Sequence, residues 1–185
     1  MMTCKDPYPK AFAPPDENNT LITADLIDRC VIASRQSPRL RIIQPLHKTS
    51  DAQLHRMLNA MQPGSYTQPH RHLFPPKAES VIVLRGAIYV FIFASDGNID
   101  AVHTIKAGSI NLGIDSEPGV FHTFAAIEED TVLFEVKPGP YNQADDKDFA
   151  PWAPAEGADG AKEYLDHLYE IGKSNSHLDS QNKET

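Results

Sequence analysis

Two histidines two residues apart, His70 and His72, are followed by a carboxylate, Glu79, and by a later histidine, His122, just after the turn Pro118-Gly119. All four are metal-ligating types. Imidazole nitrogen and carboxylate oxygen together suit Zn, Mn, Fe or Ni, with ligand softness and geometry deciding among them. On a β-strand, residues i and i+2 face the same side, so His70 and His72 can share one ion from a single strand. Glu79 leads into the apolar run 80–84, which reads as the next strand, and His122 would close the shell from a third. The whole pattern runs Gly64, five residues, His70-x-His72, six residues, Glu79, six residues, Gly86, and then Pro118-Gly119-x-x-His122. A lone His-x-His is common, and the plain alternative is that these are ordinary surface histidines on β-turns. Four ligand types at strand-compatible spacing rarely coincide.

The elements that must position these residues are mostly strands. Thr23 is a suitable N-cap, and Leu26, Ile27, Cys30 and Val31 follow at helical spacing, so the pattern predicts a helix over 24–35 that Pro38 ends. A short strand is expected at 41–43. Runs 80–84 and 87–93 are β-branched and aromatic, separated by Arg85-Gly86. Ser95-Asp96-Gly97-Asn98 predicts a type I′ hairpin, with 99–105 pairing back. A strand over 109–114 follows, and 121–127 with 131–136 reads as one more hairpin. The segment DDKDFAPWAPAEG looks like a strap lying over the strands. Tyr164, Leu165, Leu168 and Ile171 then mark one face of a second helix over 161–171. Short strands at this interval predict a sandwich or barrel. Residues 1–20 are expected to be a disordered leader, 21–172 a single domain, and 173–185 a disordered polar tail.

The sequence resembles the cupin superfamily, in which two short histidine-bearing segments line the mouth of a small β-barrel. More narrowly it resembles the WbuC-type cupin-fold metalloproteins. The resemblance takes in Ser37-Pro38-Arg39-Leu40-Arg41 through His47, Pro63-Gly64-Ser65-Tyr66 before His70-Arg71-His72, and Val83-Leu84-Arg85-Gly86. It continues through Leu133-Phe134-Glu135-Val136-Lys137, Gly139-Pro140-Tyr141 and Lys147-Asp148-Phe149-Ala150-Pro151-Trp152-Ala153-Pro154. It departs near the site: Ala78 and Phe121 stand where tryptophans are expected, and Ile43 where an asparagine is. The resemblance implies a mainly β fold, a cupin double-stranded β-helix (jelly-roll barrel) with an N-terminal and a C-terminal helix. It also decides one conflict. Leu54, Met57, Leu58 and Met61 have helical spacing, but the resemblance implies a strand leading into Pro63-Gly64.

Composition narrows the class. The chain has 185 residues, of which about 150 would form one core burying roughly 70% of its unfolded surface. No run approaches the roughly 18 apolar residues of a membrane span, and the polar, proline-rich start has no signal-peptide apolar region. Cys4 and Cys30 have no Cys-x-x-Cys spacing, consistent with reduced thiols in a cytoplasmic protein. A net charge of −8 argues against nucleic acid. Arg29, Arg35, Arg39 and Arg41 gather near the first helix, either as a solvated helix end or as an anion-binding patch. The expected partner is a small-molecule substrate, with neither nucleic acid nor membrane, and a homodimer stays open.

Beyond the ligands His70, His72, Glu79 and His122, three residues are candidates for other roles. Tyr66 lies four residues before His70, so their side chains point to one face, and its phenol could donate to a metal-bound oxygen. His47 could line the pocket mouth as a second catalytic candidate. Arg41 is the candidate substrate-binding clamp for a phosphate or carboxylate. Glu135 and Lys137 share a strand face, as an ion pair on the barrel wall or, less simply, as catalysts. Four protein ligands on an ion that accepts five or six leave room for water or substrate. Zn would suit isomerase or epimerase chemistry on a sugar; Fe, Mn or Ni would suit oxygen chemistry, as in a dioxygenase. The leading expectation is a small metalloenzyme acting on a sugar or related polar metabolite, with the WbuC resemblance implying bacterial surface polysaccharide (O-antigen) biosynthesis. The other is a non-catalytic, metal-dependent sugar-binding or regulatory module.

Overall fold

A computed structural model describes residues 9–181, with side chains to 175. Its ten strands form two antiparallel five-stranded sheets. The first helix, α1 (Ala24–Gln36), precedes β1 (Arg41–Pro45), β2 (Leu54–Met61), β3 (His70–Arg71), β4 (Glu79–Arg85) and β5 (Ala87–Phe93). Then come β6 (Ile99–Lys106), β7 (Gly113–Ser116), β8 (Phe121–Ala126), β9 (Thr131–Pro138), β10 (Asp148–Phe149) and α2 (Ala161–Gln181). One sheet has the order β1-β2-β9-β4-β7 and the other β10-β3-β8-β5-β6. This is the mainly β, cupin-type double-sheet jelly roll with a helix at each end.

Strand alternation sorts side chains into an interior layer and two outer ones. Val81, Val83, Ile88, Val90, Phe124, Ala126 and Leu133 fill the interior between the sheets. On the outer face of the first sheet, Ile42, Leu58, Ala60 and Val132 pack beneath Cys30 and Val31 of α1. On the outer face of the second, Tyr89, Phe91, Phe93, Phe121 and Ala125 pack beneath Leu165 and Leu168 of α2. Thr23 caps α1, its hydroxyl accepting from the Leu26 amide.

Several expectations need correction. Strands β8 and β9 do not pair as a hairpin: β8 lies between β3 and β5, whereas β9 lies between β2 and β4. The chain crosses between sheets at 127–130, where Asp130 takes a positive φ of 60°. Crossing again occurs between β4 and β5 at Gly86, whose φ is 74° and where a Cβ would lie 2.3 Å from Thr131 Oγ1. Only glycine fits there. The turn at Asp96-Gly97 forms, but only Gly97 has positive φ, so it is not type I′, which needs two such residues. Helix α2 runs on to Gln181, into the region expected to be tail. Part of the expected leader is docked: Phe12 N donates to Ile43 O, and Arg29 sits 5.2 Å over the Phe12 ring. The strand that the resemblance implied before Pro63-Gly64 does form, as β2 over Leu54–Met61, because pairing to β1 and β9 on both sides outweighs an apolar spacing that also fits a helix. Cys4 and the remainder of residues 1–8 lie outside the described residues, while Cys30 is a buried free thiol. No helix among the described residues is long and apolar enough to cross a membrane.

Candidate metal centre

Strand β3 is only two residues long, yet it sets the centre. His70 pairs across to His122 of β8, and the rings lie 4.8 Å apart. His72 follows on the same side, its ring 5.1 Å from His70. Glu79 opens β4 in the opposing sheet, with Val81 and Val83 of the same face pointing inward. The centre therefore spans the sandwich, three imidazoles from one sheet and a carboxylate from the other. Each of the four residues is buried, and one ligand atom from each lies within 4.8 Å of the others. Bonds of about 2.0–2.3 Å would put the farthest pair no more than about 4.0–4.6 Å apart, so binding needs a closure of a few tenths of an ångström.

The hydrogen bonds fix which nitrogen is available. His70 Nδ1 lies 3.0 Å from Gln68 O and His122 Nδ1 lies 2.9 Å from Val120 O. His72 Nδ1 contacts Asp146 O. A carbonyl oxygen can only accept, so each Nδ1 carries the proton and each Nε2 presents a lone pair. This backbone anchoring is how metal-ligating histidines are usually oriented. His72 Nε2 is buried with no hydrogen-bond partner. His122 Nε2 and His72 Nε2 face the two Glu79 oxygens at 3.0 and 3.6 Å. Lone pairs facing a carboxylate so closely repel unless a cation sits between them. The donor set, its tautomers and the orphaned His72 nitrogen fit a divalent transition-metal ion.

Electrostatics agree. Burial, helped by the charge of Lys147, holds the His70 pKa well below the usual range and keeps the ring neutral. Burial opposes the Glu79 charge, but contacts from His122 and His72 and the charge of Lys137 outweigh it and lower its pKa. Beside it stands Glu135 of β9, raised to about 7 by burial and by the neighbouring Glu79 charge. Lys137 lies 3.7 Å from Glu79, 3.5 Å from Glu135 and 3.1 Å from Asp146. Burial works against its charge, yet those carboxylates raise its pKa. Asp146, on the strap, also pairs with Lys77 at 3.1 Å. Glu135 and Lys137 thus pair inside the barrel, beside the centre.

Tyr66, His47 and Arg41 lie elsewhere. Residues 66–69 are not strand, so alternation does not carry from His70 back to Tyr66. Tyr66 packs in the outer layer with Phe91 and Phe121 beneath α2, on the face of the second sheet opposite His122, and its hydroxyl donates to Pro154 O. His47 stacks on His55 at 3.9 Å, with Nδ1 held between the Arg56 amide and carbonyl. Arg41 is buried with its donors on Ser65 Oγ, Tyr66 O and Glu156. The other arginines of that cluster are also engaged: Arg29 with Gln44, Arg35 with Asp130, Arg39 with Glu156. None of the four is a free anion clamp. The residues the sequence reading passed over are Lys77, Asp146 and Lys147, and the charged segment of the strap was the one signal for the last two.

Residues 22–105, under half of the chain, match a family described as a domain of unknown function (DUF6016). No curated protein matches the chain. Among solved structures it is similar to KdgF from Halomonas sp., at 17% identity over 58% of this chain and 86% of that one, with a TM-score of 0.45. It is also similar to CapF, a capsular polysaccharide assembling protein from Staphylococcus aureus, at 17% identity over 58% of this chain and 31% of that one, TM-score 0.49. A Bacillus subtilis oxalate decarboxylase shares 20% identity over 54% of this chain and 24% of its own, TM-score 0.43. The chain therefore spans about a third and a quarter of the last two proteins.

Proposed function

We propose that the chain is a cupin-fold metalloenzyme that binds one divalent transition-metal ion through His70, His72, Glu79 and His122 and moves a proton on a sugar or related polar metabolite. The observation that carries this is the set of three Nε2 lone pairs and the Glu79 carboxylate, turned toward one another inside the barrel with a second carboxyl, Glu135, beside them. When bound, the ion would polarise a carbonyl or acidify water. Glu135 accepts and returns the proton, since a carboxyl titrating near 7 can do both at neutral pH. Lys137 holds Glu135 in place, and Asp146 on the strap holds Lys137 and the His72 ring. Aldose–ketose isomerisation or epimerisation is the reaction class that needs these parts, and the WbuC resemblance supports a place in bacterial surface polysaccharide synthesis and a cytoplasmic setting.

The test is to incubate zinc-loaded protein in D₂O with a panel of aldoses, ketoses and sugar acids and follow deuterium at the carbon beside the carbonyl by NMR. Enzyme-dependent incorporation, lost in Glu135→Gln while metal content is kept, is the expected result. No incorporation with any panel member, in metal-replete protein, would overturn the isomerase reading. A second reading, a metal-dependent binding module without turnover, draws on the 1–4% exposure of the four ligands and on the engagement of Tyr66, His47 and Arg41 outside the centre. Binding of a panel sugar without deuterium incorporation would favour it. Oxygen uptake by iron-loaded protein would point instead to a dioxygenase.

A further inference from the structure

The residue just before β10, Lys147, brings a cation to the metal end of the barrel. Asp148 pairs in register with Arg71 and Phe149 with His70. The Asp148 carboxylate meets Arg71 Nε at 2.6 Å, both side chains partly exposed on the outer side. Alternation turns Phe149 the other way, and its ring lies 6.1 Å from that of His70. Lys147 stands between Asp146, whose carbonyl meets His72 Nδ1, and Asp148, which pairs with Arg71, so it lies at the metal end of the barrel, where its charge bears on His70 and Glu135.

Its surroundings differ from those of the other two lysines at this end. Lys77 and Lys137 each reach Asp146 at 3.1 Å. Among the described residues no hydrogen bond or ion pair engages the Lys147 ammonium. The charges of the group can be summed: with Glu135 ionised, as a divalent ion beside it would favour, Glu79, Glu135 and Asp146 carry three negative charges, and Lys77, Lys137 and Lys147 three positive, giving zero. Neutral imidazoles add nothing. A divalent ion would therefore leave two positive charges in excess in a buried space, where uncompensated charge is costly.

We propose that Lys147 anchors an oxyanion, the carboxylate or phosphate group of the substrate, beside the metal. The inference rests on the metal-centre reading and names the substrate class for that site: a sugar acid, sugar phosphate or comparable anionic metabolite. Anion binding expected of Arg41 passes to Lys147, because the Arg41 donors are already engaged by Ser65, Tyr66 O and Glu156 and, among the described residues, those of Lys147 are not. An anion there would compensate the excess charge and accept those donors at once.

The experiment uses full-length protein titrated first with Zn(II) alone and then with inorganic phosphate or malonate, both steps followed by calorimetry. Wild type should take up one zinc and then bind at least one of the two probes in the zinc-loaded form. Which one binds separates the phosphate from the carboxylate source. Lys147→Met should bind zinc at the same stoichiometry and lose about tenfold or more in probe affinity, as expected for one charge-assisted contact. Lys147→Arg should recover most of it, which controls for disturbance of the strap. Equal probe affinity in wild type and Lys147→Met, or no binding of either probe to zinc-loaded wild type, would overturn the proposal while leaving the metal centre standing. Failure to bind zinc at all would overturn the metal centre itself and remove the charge excess on which Lys147 acts.

Discussion

The barrel interior has two ends built from the same strands, and they have opposite chemistry. Strand β4 starts with Glu79 and continues inward with Val81 and Val83; the inward face of β8 starts with His122 and continues with Phe124 and Ala126. Strand β9 runs the other way, from Leu133 to Glu135 and Lys137. One end is a dry aliphatic and aromatic core. The other collects His70, His72, Glu79, His122, Glu135 and Lys137, all no more than 7% exposed. Burial of apolar surface makes the first end the source of stability. Buried ionisable groups make the second a cost to the fold, tolerated only where each charge finds a partner. A barrel of this kind is a stable frame at one end that holds a strained electrostatic arrangement at the other.

Changes at the two ends should therefore behave differently. Leu133→Ala, at a fully buried position of the apolar end, should lower unfolding free energy by about 2–5 kcal/mol in a urea titration. It should leave metal stoichiometry unchanged, and a loss under 1 kcal/mol would mean that this end is not the stabilising core. At the polar end, stability should depend on metal. Ligand at a hundredfold excess over Kd adds about 2.7 kcal/mol to the folded state. A chelator should lower Tm in wild type and have no effect on His72→Ala; equal melting curves for replete and stripped wild type would sever metal from folding. Affinity should also weaken below about pH 6.5, where free imidazoles take up protons.

Asp146→Ala should cost about 1–3 kcal/mol. It removes the carboxylate that Lys77 and Lys137 share, and the figure lies below that for a pair left with no partner because Lys137 keeps Glu79 and Glu135 and Lys77 keeps Pro140 O. The smallest effect expected is of pH on metal-free protein. Folded Glu135 titrates near 7 and the unfolded residue near 4.3. Between those values the folded state binds more protons, so this group's contribution falls as pH rises through the window. Glu135→Gln should flatten that loss by something on the order of 1 kcal/mol. A steeper decline in the variant would place the wrong sign on Glu135. His70 acts oppositely: its pKa is depressed in the fold, so its contribution is lost as pH falls below about 6.5.

The difference between the two ends also explains what could be read in the sequence. Strand alternation is local, so His70-x-His72 and the inward run Glu79, Val81, Val83 were legible from spacing, as was Thr23 as a cap. Sheet membership is not local: 121–127 and 131–136 look like a hairpin, and only the packing of two faces sends β8 and β9 to different sheets. Tyr66 was misplaced because alternation was carried across Gln68-Pro69, where the chain is not strand. Asp146 and Lys147 were passed over because their partners lie 69 and 74 residues away in Lys77 and His72 or across a two-residue strand, a relation that no spacing encodes.

The central claim is that the four inward ligand atoms hold a metal. Elemental analysis of the protein purified from its native host, beside His72→Ala prepared the same way, tests it most directly. The account predicts about one equivalent of a single divalent transition metal in the wild type and a small fraction of that in the variant. Metal-free wild type that also fails to take up Zn, Mn, Fe or Ni stoichiometrically on titration would contradict it.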